Sequence, residues 1–216
     1  KDDAAGLAIA NRMNTQVRGM NVAIRNANDG ISLAQVAEGG LSQMTEILQR
    51  MRELAVQAVN STNTTGTGGD LDKLDQEYRQ LSNELARMSA SVQFNGQPIL
   101  AGSADYTFQV GANSGTENRI TITSGDISLS GNGAFSSVLS AGSYSALNIS
   151  NNTANISAIS GIDQAIAAID ERRARLGAVQ SRFENTIAFL RTAVENQSAA
   201  RGRIMDADFA AETANL

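Results

Sequence analysis

The chain has no cysteine, no histidine and no tryptophan, a single proline, and aromatics at only 4% of its 216 residues. Without cysteine and histidine, the common nucleophile–base pairs and most transition-metal sites are excluded. Compartment stays open, because a cysteine-free chain suits the cytosol and also an exported protein that avoids disulfides. So few large side chains do not build a thick core. They suit thin helical layers closed by Leu, Ile, Met and Ala. No apolar run reaches about 18 residues, so no membrane span is expected, and no secretory signal peptide is recognisable. A net charge of −5 argues against a broad nucleic-acid surface. The chain opens at Lys1-Asp2-Asp3 without a methionine and closes at Leu216 inside a helical pattern, so both ends read as truncated.

What is present is helical periodicity. Leu41, Met44, Leu48, Met51, Ala55 and Ala58 recur at alternating spacings of three and four, one apolar stripe along a helix that needs partner helices to bury it. Upstream, Met13, Val17, Met20, Ile24, Ala27, Ile31 and Ala34 step as a heptad seam. Gly39-Gly40 interrupts good helix formers at a cost of about 2 kcal/mol relative to alanine, so a kink or register shift is expected there. Ser61 to Gly69 is a turn segment by composition, followed by Asp70 as a helix cap. Leu71, Leu74, Tyr78, Leu81, Leu85, Met88 and Val92 then predict a third helical pass, antiparallel to the one before it because the connection is short. Asn95-Gly96 marks a tight turn.

From Tyr106 the period changes to two. Tyr106, Phe108 and Val110, then Ile120 and Ile122, predict a β-hairpin around a turn-rich segment. Residues 124–155 are rich in Gly, Ser and Asn, with weak strand signals at Ile127–Leu129 and Ser137–Leu139. Helix returns at Ser160, which with Asp163 resembles a capping box. Its stripe runs through Ile162, Ile166, Ile169, Leu176, Val179, Phe183, Thr186, Leu190, Ala193, Gln197, Ala200 and Ile204. Residues 161–216 as one helix would be roughly 84 Å long. A compact globule of this chain length has a radius of gyration of about 17 Å. The expected fold is therefore mainly α, an elongated rod of long antiparallel helices in a coiled-coil-like bundle, with a β-hairpin and a small irregular outer segment. The expected parts are residues 1–102 as the N-terminal helical part of the rod, 103–155 as hairpin and variable segment, and 156–216 as a long helix packing on the first.

Residues able to carry chemistry are few. Asp70, Asp72 and Asp75 lack the central glycine and closing glutamate of a calcium loop, which leaves helix capping as their reading. Gly66, Gly68 and Gly69 have neither the preceding strand nor the following Lys-Ser/Thr of a phosphate cradle. The Asn-x-Ser/Thr triplets at Asn60, Asn63, Asn148, Asn151, Asn155 and Asn196 arise readily in such a composition. No catalytic residue, metal or cofactor is expected. Arg172, Arg173 and Arg175 form a basic cluster beside Glu171, read as an ion-paired solvated face or, more sharply, as contact with an anionic partner. The polar face Gln49-Arg50-Met51-Arg52-Glu53-Leu54 raises the same question.

Several segments together resemble bacterial flagellin: Lys1-Asp2-Asp3-Ala4-Ala5-Gly6-Leu7-Ala8-Ile9-Ala10, Arg25-Asn26-Ala27-Asn28-Asp29-Gly30-Ile31-Ser32, Leu48-Gln49-Arg50-Met51-Arg52-Glu53-Leu54-Ala55-Val56-Gln57, Phe94-Asn95-Gly96, Phe108-Gln109-Val110-Gly111-Ala112-Asn113 and Leu176-Gly177-Ala178-Val179-Gln180. The resemblance covers about residues 1–123 and 160–216. It implies a non-enzymatic, secreted subunit of the flagellar filament that polymerises with its own copies and meets the hook–filament junction and cap proteins. It also implies a contact face for stacked subunits, or for the animal flagellin-sensing Toll-like receptor, carried by Gln49, Arg50, Leu54, Gln57 and Glu77. Two other readings belong beside it. One is a flagellin-like cell-surface adhesin or polysaccharide-binding protein, which the Ser/Thr/Asn-rich segment and the arginine cluster permit. The other is the junction protein between hook and filament, against which the Arg50 and Phe94 motifs weigh.

Overall fold

The computed structural model describes residues 4–129 and 155–214, with side chains described over 5–129 and 155–205. The fold is mainly α. In order, the elements are helix α1 (Ala4–Ala58), helix α2 (Asp70–Ser91), strands β1 (Gln93–Phe94), β2 (Gln97–Pro98), β3 (Tyr106–Gln109) and β4 (Arg119–Ile122), the one-turn helix α3 (Ser124–Ile127) and helix α4 (Ile156–Ala214). Contacts divide the chain into two compact units: residues 1–32, 106–121 and 179–216, and residues 33–105 and 122–178. The two long helices and the β3–β4 hairpin contribute to both.

In the unit formed by residues 33–105 and 122–178, the expected stripe is the core. Leu41, Met44, Leu48, Met51, Ala55 and Ala58 are all fully buried. Each large member stabilises by about 1.5–3 kcal/mol relative to exposure. Helices α1 and α2 are antiparallel here, since Arg50 meets Glu77 while Gly40 lies against Val92. Helices α1 and α4 are antiparallel too, because Glu38 meets Arg173 and Arg52 meets Asp163. At Gly39-Gly40 the helix runs on without a break. Close approach gives Gly40 its reason: a Cβ there would stand 2.8 Å from Val92 Cγ2 and 3.2 Å from Leu100 Cδ1.

In the unit formed by residues 1–32, 106–121 and 179–216, Met20, Ala23 and Leu190 form a buried cluster flanked by Val17, Ile24, Ala193 and Val194. The helices are antiparallel again, with Asn14 bonded to Arg201 and Gln16 to Gln197. The heptad seam is only partly the inner line. Met20 and Ala27 are buried, whereas Met13, Val17, Ile24 and Ile31 are half-buried, and Ala23 and Gly30 take the inner positions. A straight helix drifts about 20° per heptad against a strict seven-residue repeat, so the buried line steps sideways along α1. Gly30 lets the Phe183 ring reach the backbone, a Cβ there falling 2.5 Å from Phe183 Cζ. The same ring meets Phe108 edge-on, with centroids 5.5 Å apart. On α4, Ile204 is 37% exposed and so leaves the expected stripe.

Both expected turns are present. β1 and β2 pair antiparallel, Gln93 opposite Pro98 and Phe94 opposite Gln97, around Asn95 (φ 50°) and Gly96 (φ 76°), the left-handed pair that a two-residue hairpin demands. β3 pairs with β4, with the Thr107 and Thr121 hydroxyls 3.0 Å apart and the Val110 N–H on the Asn118 carbonyl. Three local expectations are corrected. Asp70 is the first residue of α2 and the cap position is Gly69, because the carboxylate of Asp70 turns back to Thr64 instead. α4 starts at Ile156, so Ser160 and Asp163 lie within it and form no capping box; Asp163 pairs with Arg52. At Ile127–Leu129 there is no strand. Ile127 ends α3, which opens on a capping box between Thr123 and Asp126, and the Leu129 N–H bonds to the Leu100 carbonyl. The strand expected at residues 137–139 lies outside the described residues.

Candidate functional site

The polar face of α1 opposite its buried stripe is built within the unit of residues 33–105 and 122–178. Three and four residue steps bring Gln49, Arg50, Glu53 and Gln57 to the solvent side of the helix, and all four are exposed. Arg50 is its centre. Its Nε and Nη2 donate to the same oxygen of Glu77 on α2, at 2.9 and 2.7 Å, and its Nη1 donates to Glu53 at 2.9 Å. These contacts, the Glu77 bond foremost, raise the guanidinium pKa above its ordinary value. The side chains stay half in water, 50% exposed for Arg50 and 45% for Glu77. The pair thus fixes the shape and charge of a surface while leaving it open to a partner.

The sequence-predicted residues are sorted by depth. Gln49, Arg50, Gln57 and Glu77 share the exposed face, whereas Leu54 is 1% exposed and supports the face from below. Val56, at 50% exposure, adds an apolar group to this face that the sequence reading passed over. Its signal was available: a valine off the buried stripe, one helical turn from Arg52 and Glu53. Arg52 turns the other way and donates to Asp163 on α4 at 2.6 Å.

The arginine cluster lies on α4 in the same unit, and its three members behave differently. Arg172 is 9% exposed, not solvated. Its Nε donates to the Ser128 carbonyl at 2.9 Å and its Nη1 to the Ala168 carbonyl at 3.1 Å, while burial lowers its pKa from the ordinary value. Arg175 bridges Glu171 at 2.7 Å and Asp126 at 3.2 Å, and Arg173 lies 3.7 Å from Glu38. Two of the three are therefore ion-paired at the surface and the third is a buried tie between α4 and the segment after α3. Asp70, Asp72 and Asp75 do not converge: Asp70 bonds Thr64, Asp72 accepts from the Gly68 N–H and Asp75 pairs with Arg79.

Comparison with known proteins gives a consistent result. Residues 1–105 match the bacterial flagellin N-terminal helical region and residues 159–216 the bacterial flagellin C-terminal helical region. The chain is 45% identical over 212 residues to a flagellin of Halalkalibacterium halodurans, covering 98% of this chain and 73% of that protein. It is 37% identical over 232 residues to a flagellin of Bacillus subtilis, covering 98% and 76%. Among solved structures it resembles the crystal structure of Bacillus cereus flagellin, with a TM-score of 0.60 and 28% identity over 76% of this chain and 88% of that one.

Proposed function

The chain belongs to the bacterial flagellin family, and from that membership we propose which of its surfaces meets partners. As a flagellin it is a structural, non-enzymatic subunit of the extracellular flagellar filament, and it polymerises with other flagellin subunits. Among the described residues no helix is long and apolar enough to cross a membrane.

The proposed contact face consists of Gln49, Arg50, Gln57 and Glu77, with Leu54 holding it from beneath. What supports it is the Arg50–Glu77 pair, which joins α1 to α2 on the solvent side and gives a partner a fixed pattern of charge and amide groups. In the filament this face meets a neighbouring subunit. In the free protein it meets the animal flagellin-sensing Toll-like receptor, and the ends of the polymer meet the hook–filament junction and cap proteins. Replacing Arg50 and Glu77 together by alanine is expected to abolish receptor-dependent reporter signalling by the monomer. Unchanged signalling from a folded double variant would place the receptor elsewhere.

A further inference from the structure

A second surface stands out in the unit of residues 1–32, 106–121 and 179–216. Phe189, on α4, is 70% exposed. It forms one wall of a groove of about 670 Å³ between α4 and the loop that joins β3 to β4. Met20, Val110 and Leu190, each buried, line its apolar side, and Arg182 and Asn185 stand along the α4 side. Two groups there lack partners among the described residues: Arg182 has no ion pair, and the buried Oε1 of Gln197 accepts no hydrogen bond although its Nε2 donates to Gln16 at 3.0 Å.

We infer that this groove seats a second copy of the chain, with Phe189 as the aromatic anchor. The inference rests on the filament reading above, since a polymer sets copies of this subunit against one another. Phe189 and Arg182 both line the groove, and aromatic residues and arginine are the residue types enriched at protein interfaces. Arg182, which has no ion pair among the described residues, is available to a carboxylate of a second copy. A small-molecule site would enclose its ligand on most sides. Phe189 instead stands outward and suits a broad protein surface.

The test uses the full gene product with p-benzoylphenylalanine in place of Phe189, and separately Phe189→Asp and Arg182→Glu. Photolysis of filaments is expected to give a covalent dimer whose adduct maps to a second copy, absent from dilute monomer. Phe189→Asp is expected to melt like the parent, as its side chain is mostly in water, yet to raise the critical concentration for polymerisation by about tenfold or more. Arg182→Glu is expected to raise it in the same direction. Filaments without an intersubunit adduct, or a folded Phe189→Asp protein with parental critical concentration, would overturn the inference and leave the filament reading intact. Failure of the unsubstituted gene product to polymerise would sink both.

Discussion

Asp70 closes the loop between α1 and α2. Its carboxylate accepts from the Thr64 N–H at 3.2 Å and the Thr64 hydroxyl at 2.9 Å, and its own N–H donates to that hydroxyl at 2.8 Å. These bonds, the backbone one first, hold the carboxyl below its ordinary value of 3.8. At Asp126 burial opposes ionisation, but the Thr123 hydroxyl, the Thr123 N–H and Arg175 outweigh it, and that carboxyl is lowered as well. Because both groups are depressed in the folded state, the unfolded chain takes up protons first on acidification. Their stabilisation is complete above the unfolded value of about 4, fades as the pH falls below it and is gone once the folded values are passed. Protection of the Thr64 amide from hydrogen exchange is therefore expected to stay level from neutral pH to about pH 5 and to drop below about pH 4. In Asp70→Asn it should start lower and lose that acid step; an unchanged protection factor down to pH 2 would refute the role. At the same scale, charge spacing reads the three arginines as an ion-paired solvated face or as contact with an anionic partner, whereas Arg172 is buried. A guanidinium satisfied by the carbonyls of Ala168 and Ser128 leaves no mark in charge spacing, since one partner lies 44 residues away in sequence.

Helix α2 shows what periodicity can and cannot read. The expected stripe holds at Leu71, Tyr78 and Leu85, which are buried, but Leu74, Leu81 and Met88 are only half-buried. Between the buried apolar residues the inner line is completed by Asp75, Ser82 and Ser89. Small and polar residues occupy alternate steps of the seam. A reading that counts apolar residues shifts the stripe sideways to the leucines that flank it. If the seam were merely underfilled, Ser82→Leu would stabilise the protein by adding apolar burial. A seam already at close-packed density predicts the reverse, a loss of about 1–3 kcal/mol from overpacking. Urea unfolding of the two proteins decides between them. The long elements were legible because their apolar spacing is dense and proline-free, and the tight turn because Asn95 and Gly96 both adopt positive φ. Element starts were not. Tertiary partners moved them: Asp70 is held by Thr64, and α4 begins four residues before Ser160, just after Asn155, which is buried and donates to the Ala58 carbonyl at 3.4 Å.

For the molecule as a subunit, the informative separation is between residues that hold the fold and residues proposed to meet neighbours, and α1 carries both within three positions. Leu48 is fully buried, while Arg50 is half exposed and spans to α2. The stripe around Leu48 was readable from spacing alone. The site around Arg50 became readable only through resemblance, because an exposed arginine, two glutamines and a glutamate have no pattern that separates a contact face from an ordinary wet one. The pairing of Arg50 with Glu77 supports the proposed face by giving it a fixed shape, since those side chains lie 27 residues apart and converge only in the folded chain. Leu48→Ala is expected to lower monomer stability by about 2–5 kcal/mol through a cavity in the core. Below its melting temperature it should still polymerise at the parental critical concentration. Arg50→Ala with Glu77→Ala should do the opposite. Exposed ion pairs add little to folding, so its urea midpoint should match the parent, while its critical concentration rises because the neighbour meets an unshaped surface. Urea titration of the monomers and sedimentation of the filaments of the full gene product measure the two quantities independently. A double variant that lost stability and polymerised normally would make the Arg50 face a fold contact instead of a subunit contact.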